Sequence, residues 1–136
     1  MTVESKPDKI SFSFGLVKFG SMSDTLLQLN SLKSISDGDI EYELELIDNL
    51  TADCDLSMEI MVSSYHSRDV PAFSEHVHKF KGSIVYLTKE PVIGILSKMD
   101  RDAHQKSTLP TPEDFKRLQV YFEEIKDLLE DYKATK

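Results

Sequence analysis

Apolar positions recur at intervals of three and four along most of this chain. That is the period of helices that bury one face. The clearest run is Phe115, Leu118, Phe122, Ile125, Leu129 and Tyr132, a long amphipathic stripe. Its start is marked by Thr111 as cap, Pro112 at the first helical position and Asp114 three residues after the cap. Before it, Lys106-Ser107-Thr108-Leu109-Pro110 reads as a loop, and Pro91 opens a helix carrying Ile95, Leu96 and Met99. Asp69 is the expected N-cap of another helix, with Pro71 in its first turn, where a missing N–H costs little. Further back, a helix with Ile60 and Met61 inward is expected from about Leu56 to Tyr65, and a separate one carries Ile40, Leu44 and Ile47. Asp37-Gly38-Asp39 divides the latter from a helix expected to start at Ser23-Asp24 and to hold Leu26, Leu29 and Leu32.

Residues 1–9 are polar, and Ile10, Phe12, Phe14 and Leu16 alternate with a strand period that Gly15 and Gly20 weaken. The short links between the helical segments favour antiparallel neighbours. The expectation is an all-α protein, an up-and-down antiparallel four-helix bundle over residues 23–136. Residues 1–22 form an N-terminal arm, either extended or contributing one or two extra helices.

The segment after Asp69 carries the most chemistry. Each helical step turns ~100°. On that wheel Phe73, Val77, Phe80, Ile84 and Leu87 make one core stripe, and His78 lies on the opposite side. Ser74, Glu75, Lys81, Gly82 and Val85 fall within ~60° of His78 by the same arithmetic. His78 is therefore expected to be exposed, with Lys81 three residues on and within side-chain reach. An exposed imidazole can act as an uncharged nucleophile at neutral pH. Lys81 can neutralise a phosphoryl group as a point charge with three donors. Gly82 costs roughly 1 kcal/mol of helix stability relative to alanine, a cost that suits a surface something else must approach closely. Val85 would add exposed apolar surface for a docking partner. His76, two residues before His78, falls near the core edge, and the pair points too far apart for metal ligation. His66 and His104 read as ordinary surface residues.

Composition narrows the classes. The chain has 136 residues, enough for one domain. Its net charge of −8, from 24 acidic and 16 basic residues, argues against nucleic acid and anionic membrane surfaces as partners. Cys54 is the single cysteine and cannot form an internal disulfide, which favours a reducing, cytoplasmic compartment, or a nuclear one in a eukaryote. The first residues lack the apolar stretch of a signal peptide, and no run approaches the ~18 apolar residues of a membrane span. Asn49-Leu50-Thr51 matches a glycosylation sequon and reads as chance without a secretory signal.

The run His78-Lys79-Phe80-Lys81-Gly82-Ser83 resembles the mark of the histidine-containing phosphotransfer (HPt) domain: histidine, any residue, an apolar residue, lysine, glycine, then serine or alanine. Arg68-Asp69-Val70-Pro71-Ala72-Phe73 is similar to that family's acidic turn and apolar anchor. Leu87 matches its apolar position nine after the histidine, and Leu44 and Leu46 lie in the helix that leads into the bundle. The resemblance covers roughly residues 23–132. Ile84 and Thr88 depart from it, where the family often has a small residue and a glycine, positions that bear on packing and helix bending.

The resemblance implies a four-helix core and a phosphorelay intermediate. His78 would accept a phosphoryl group from a receiver-domain phosphoaspartate and pass it to another receiver. Lys81 would neutralise the phosphoryl charge, and Ser74, Glu75, Lys79, Gly82 and Val85 would meet the partner. The partners implied are receiver domains of a hybrid histidine kinase and of response regulators, met by a monomer. No cofactor is expected on this chain, because magnesium belongs to the receiver. There is no glycine-rich nucleotide loop, so no autonomous kinase activity is expected. The alternative is an HPt-like receiver-binding module, or a phosphate sink without onward transfer. A metal-dependent hydrolase would need a convergent His/Asp/Glu constellation that the sequence does not offer.

Overall fold

The computed structural model describes residues 26–136. They form five helices: α1 (Asn30–Ser36), α2 (Ile40–Ser67), α3 (Val70–Ile84), α4 (Val92–Lys106) and α5 (Pro112–Ala134). Helices α2 to α5 make the up-and-down bundle that the apolar periodicity predicts. The expected arm over 1–22 and the expected helix start at Ser23-Asp24 lie outside the described residues. No helix among the described residues is long and apolar enough to cross a membrane.

Each turn has an identifiable stop. Asp37 and Gly38 both take positive φ, 52° and 85°, which turns the chain sharply between α1 and α2. Asp39 then caps α2, its carboxylate accepting from the Tyr42 N–H at 3.1 Å. Arg68, left-handed at φ 61°, ends α2, and its N–H donates back to the last turn. The next residue, Asp69, caps α3 by accepting from the Ala72 N–H at 3.2 Å, with Pro71 in the first turn as expected. A two-residue link therefore reverses the chain and lays α3 antiparallel on α2. Thr111 caps α5 in the same way, its hydroxyl accepting from the Asp114 N–H at 3.1 Å.

Two expectations are corrected. The separate helices around Ile40–Ile47 and Leu56–Tyr65 are one continuous helix of 28 residues, roughly 42 Å long at 1.5 Å per residue. Neither glycine nor proline lies between Ile40 and Ser67, so the helix runs on through residues 49–53, where Asn49, Ala52 and Asp53 are exposed and Leu50 packs against the core. Thr51 returns its hydroxyl to the Ile47 carbonyl at 2.7 Å, a bond a helix accommodates. Within α2, Ile40 is exposed and Ile60 only half-buried, while Ile47 and Met61 are buried. Secondly, Leu29 and Leu32 do not share a helix running on from Ser23-Asp24. At Leu27-Gln28-Leu29 the chain pairs instead with the α3–α4 link: Leu27 bridges Thr88, and the Gln28 N–H donates to the Leu87 carbonyl at 3.1 Å. Leu29 then serves as the N-cap of α1. These long-range bonds compete with helical ones for the same backbone groups. Thr88, one of the two departures from the HPt pattern, uses its side chain here, its hydroxyl donating to the Leu26 carbonyl.

The core lies between the four long helices. Phe73, Val77, Phe80, Ile84 and Leu87 are all fully buried, so the α3 stripe is as the helical wheel predicts, though Leu87 lies past the helix end. Phe115, Leu118, Phe122, Ile125 and Leu129 bury the inner face of α5. Phe80 meets Phe122 edge-on at 5.1 Å between ring centroids, a pairing worth about 0.5–1.5 kcal/mol beyond area burial. Tyr65, Phe73 and Phe115 cluster at the end of the bundle nearest the α2–α3 turn. Burying this stripe fixes the rotation of α3, and with it the direction of the opposite face.

Among the described residues one carboxylate is buried within this core. Glu43 is 1% exposed; its Oε1 accepts from the Tyr132 hydroxyl at 2.9 Å, and its Oε2 has no hydrogen-bond partner among the described residues. Burial, followed by the hydrogen bond to Glu43 and the charge of Glu43, pushes the Tyr132 phenol up to about 12. Cys54 is fully buried, and burial first, then the flanking Asp53 and Asp55, raises its thiol to about 12. It is an inert core residue.

Candidate functional site

His78 sits midway along α3 with its side chain 75% exposed. The core stripe leaves this face of the helix outside. The predicted neighbours join it there: Glu75, Lys79, Gly82 and Val85 are exposed, while Ser74 and Lys81 are half-buried. Val85 is the C-cap residue, so it stands at the end of the helix and not one turn within it. Glu75 and Lys79 pair along the surface at 3.2 Å, an exposed i,i+4 contact that carries little stability. His76 is half-buried and its Nδ1 lies 3.0 Å from the Ala72 carbonyl, the satisfied boundary residue that the wheel implies.

Two grooves flank His78. Between α3 and α4 runs an open groove of about 730 Å³, lined by His78 and Lys81 with Ser97, Asp100, Arg101 and His104. Between α2 and α3 lies a second of about 400 Å³, lined by Leu56, Ile60, Gly82 and Ser83 among others. The residues expected to meet a partner thus divide: Ser74 and Glu75 border the groove against α4, Gly82 borders the one against α2, Lys79 borders both, and Val85 lines neither. Gly82 is open, since a Cβ built there would meet nothing within 4 Å.

Asp100 of α4 completes the site, and helical phase on α3 alone does not reveal it. Its Oδ2 lies 3.1 Å from His78 Nδ1 and 3.1 Å from Lys81 Nζ. Its side chain is 14% exposed. Burial alone would raise its pKa, but the hydrogen bonds and charges of His78 and Lys81 outweigh that and hold it below the usual carboxylate value. A carboxylate in that state accepts hydrogen bonds only. Lys81 donates to Asp100, so its ammonium is already engaged beside the histidine. The sequence does carry a faint signal for Asp100. It stands four residues after the buried Leu96 and next to the buried Met99, at the edge of the inner face of α4. Asp102, two residues on, faces its own helix instead, pairing with Lys98 at 3.1 Å and Lys106 at 3.7 Å. His104 is exposed, as expected, and borders the same groove as His78.

The chemistry available is that of a nucleophile with one nitrogen tethered. Asp100 holds Nδ1, so Nε2 is the ring nitrogen left available. Among the described residues no group of three or more His, Cys, Asp or Glu side chains is arranged to hold a metal ion.

No family model matches the sequence, and no curated protein matches it. Among solved structures, histidine-containing phosphotransfer protein B (HptB) from Pseudomonas aeruginosa PAO1 is similar, with a TM-score of 0.70 and 15% identity. The match covers 81% of this chain and 96% of that one. The bundle described above is therefore the fold of a histidine-containing phosphotransfer protein.

Proposed function

We propose that this chain is a phosphorelay intermediate. His78 accepts a phosphoryl group from a receiver-domain phosphoaspartate and passes it to the aspartate of another receiver. The observation that carries this reading is a 75% exposed imidazole at the rim of an open groove, with Nδ1 tethered and Nε2 left for reaction. The run from His78 to Ser83 and the shared fold support it.

In this mechanism the Nε2 lone pair attacks phosphorus in line. The P–N bond forms as the bond from phosphorus to the aspartyl oxygen breaks, and the receiver's carboxylate leaves. Onward transfer runs the same step in reverse toward a second carboxylate. Most charge stabilisation, including magnesium, belongs to the receiver. This chain supplies a positioned nucleophile, the Lys81 ammonium close by, and an open surface at Gly82 on which a receiver can close.

The test is a two-stage transfer. The protein is mixed with a phosphorylated receiver, and then a second, unphosphorylated receiver is added. Label is expected to move onto this chain and then off it. Failure to take up label from any receiver would overturn the acceptor role, and uptake without delivery would reduce the protein to a sink.

A further inference from the structure

We infer that residues 10–19 of this chain dock in cis in the groove between α2 and α3 and cover the Gly82 face beside His78, an autoinhibitory contact that a receiver must displace. This rests on the reading of His78 as the acceptor, and it assigns that groove an occupant from the chain itself.

Residues 10–19 lie outside the described residues, and their sequence is what asks for a partner surface. Six of the ten are large and apolar: Ile10, Phe12, Phe14, Leu16, Val17 and Phe19. The chain has seven phenylalanines, and three of them fall in this run. The other four, Phe73, Phe80, Phe115 and Phe122, are at most 4% exposed. Apolar surface on that scale is driven out of water, and it needs a face that is itself apolar and open.

The groove between α2 and α3 is such a face. Leu56 on its wall is 58% exposed, more than any other large apolar side chain among the described residues. Gly82 leaves the α3 side open. Exposed Val85 and Tyr86 continue the apolar surface to the end of α3. The chain enters the described structure at that same end. The Thr88 hydroxyl donates to the Leu26 carbonyl, and the Gln28 side-chain amide donates to the Val85 carbonyl at 3.2 Å. Val85 is about 4.5 Å of helix rise beyond Gly82. Phe19 is seven residues before Leu26, a link that spans up to about 23 Å. The run can therefore reach the groove, and the covalent link gives it an effective concentration on the order of mM. Charge favours the same seat. Lys9 and Lys18 bracket the run, and the groove presents the Asp53 carboxylate, while its Lys79 is already paired with Glu75.

The test compares the full-length wild type with a full-length variant carrying both Phe12→Ser and Phe14→Ser. Backbone NMR reads where the run docks. The amides of Leu56, Ile60, Gly82 and Ser83 are expected to shift between the two proteins, and those of Ile35 and Tyr42 to stay. Transfer from a phosphorylated receiver reads the occlusion. In the variant kcat/KM is expected to rise at least about threefold with kcat unchanged, as when a groove covered about two-thirds of the time is freed. A synthetic peptide of residues 8–20, added to the variant, should restore both the shifts and the slower transfer. Unchanged groove amides, or shifts confined to Ile35 and Tyr42, would overturn the inference. So would a wild-type dimer in sedimentation that the variant loses, because the run would then dock on a second copy. Shifted groove amides with unchanged kcat/KM would overturn the inhibition. A wild type that takes no label from any receiver would instead overturn the acceptor reading, and the groove amides would still report whether the run docks.

Discussion

Replacing Gly82 separates what the fold needs from what a partner needs. Gly82 lies in the last turn of α3 and its side is open to solvent, so that a methyl group added there would meet nothing within 4 Å. Within a helix interior, glycine is about 0.8–1.0 kcal/mol worse than alanine, and a last-turn position should show roughly half of that or more. Gly82→Ala should therefore stabilise the free protein by about 0.5–1 kcal/mol, since no clash offsets the gain. For a domain of this size that is a rise of about 2–5 °C in melting temperature. Gly82→Leu should fold equally well, because its side chain projects into the same open space. It would, however, stand in the groove between α2 and α3, beside Leu56 and Ile60. A displacement of about 1 Å in the docked pair can cost ~100-fold in rate, so Gly82→Leu should slow transfer from a phosphorylated receiver at least about tenfold. Thermal melts followed by circular dichroism read the first effect, and single-turnover transfer assays the second. Gly82→Ala melting below wild type would refute the reading of open space. Gly82→Leu transferring at the wild-type rate would refute the reading of Gly82 as a site of close approach.

Lys81→Ala should keep the fold, judged by circular dichroism, and slow phosphoryl transfer roughly tenfold to a hundredfold, the range expected for a charge-assisted hydrogen bond. Unchanged rates would remove Lys81 from the mechanism. Tyr132→Phe leaves the buried Glu43 without its hydroxyl donor and should cost about 1–3 kcal/mol, read as a lower urea midpoint at unchanged slope. The Tyr132 phenol has its pKa raised in the folded state from 10.0 to about 12. The neutral form is thus favoured by folding, so its contribution is complete below pH ~10 and fades as the pH rises through about 12. Tyr132→Phe should flatten that alkaline loss of stability in a pH series of urea melts.

The sequence made the α3 face legible because one strong periodic signal dictates it. The stripe from Phe73 to Leu87 dictates which side of the helix is buried, and His78 is then exposed by geometry alone. The caps at Asp69 and Thr111 are readable for a related reason: each is a local contact between residues three apart. The continuity of α2 is harder to read. Its middle is polar on the outer face, and a polar stretch looks like a loop until the absence of glycine and proline is given weight. The break at Leu27–Leu29 depends on partners at Leu87 and Thr88, about sixty residues away, which no local pattern encodes. Asp100 is a case of the same kind. Its meaning comes from two side chains on another helix, whereas in sequence it sits among Asp102, Lys98 and Arg101 like any member of a charged run. Glu43 is similar, since only the fold brings Tyr132 to it.

The most direct measurement is the location and chemical stability of the phosphoryl group. Wild-type protein and the variant His78→Gln are incubated with a phosphorylated receiver, and the added mass and the lability of the label are followed. His78 as acceptor requires one phosphoryl group on the wild type, stable to base and lost in acid, and none on His78→Gln with the fold intact. Equal labelling of His78→Gln, or a label stable in acid, would contradict it.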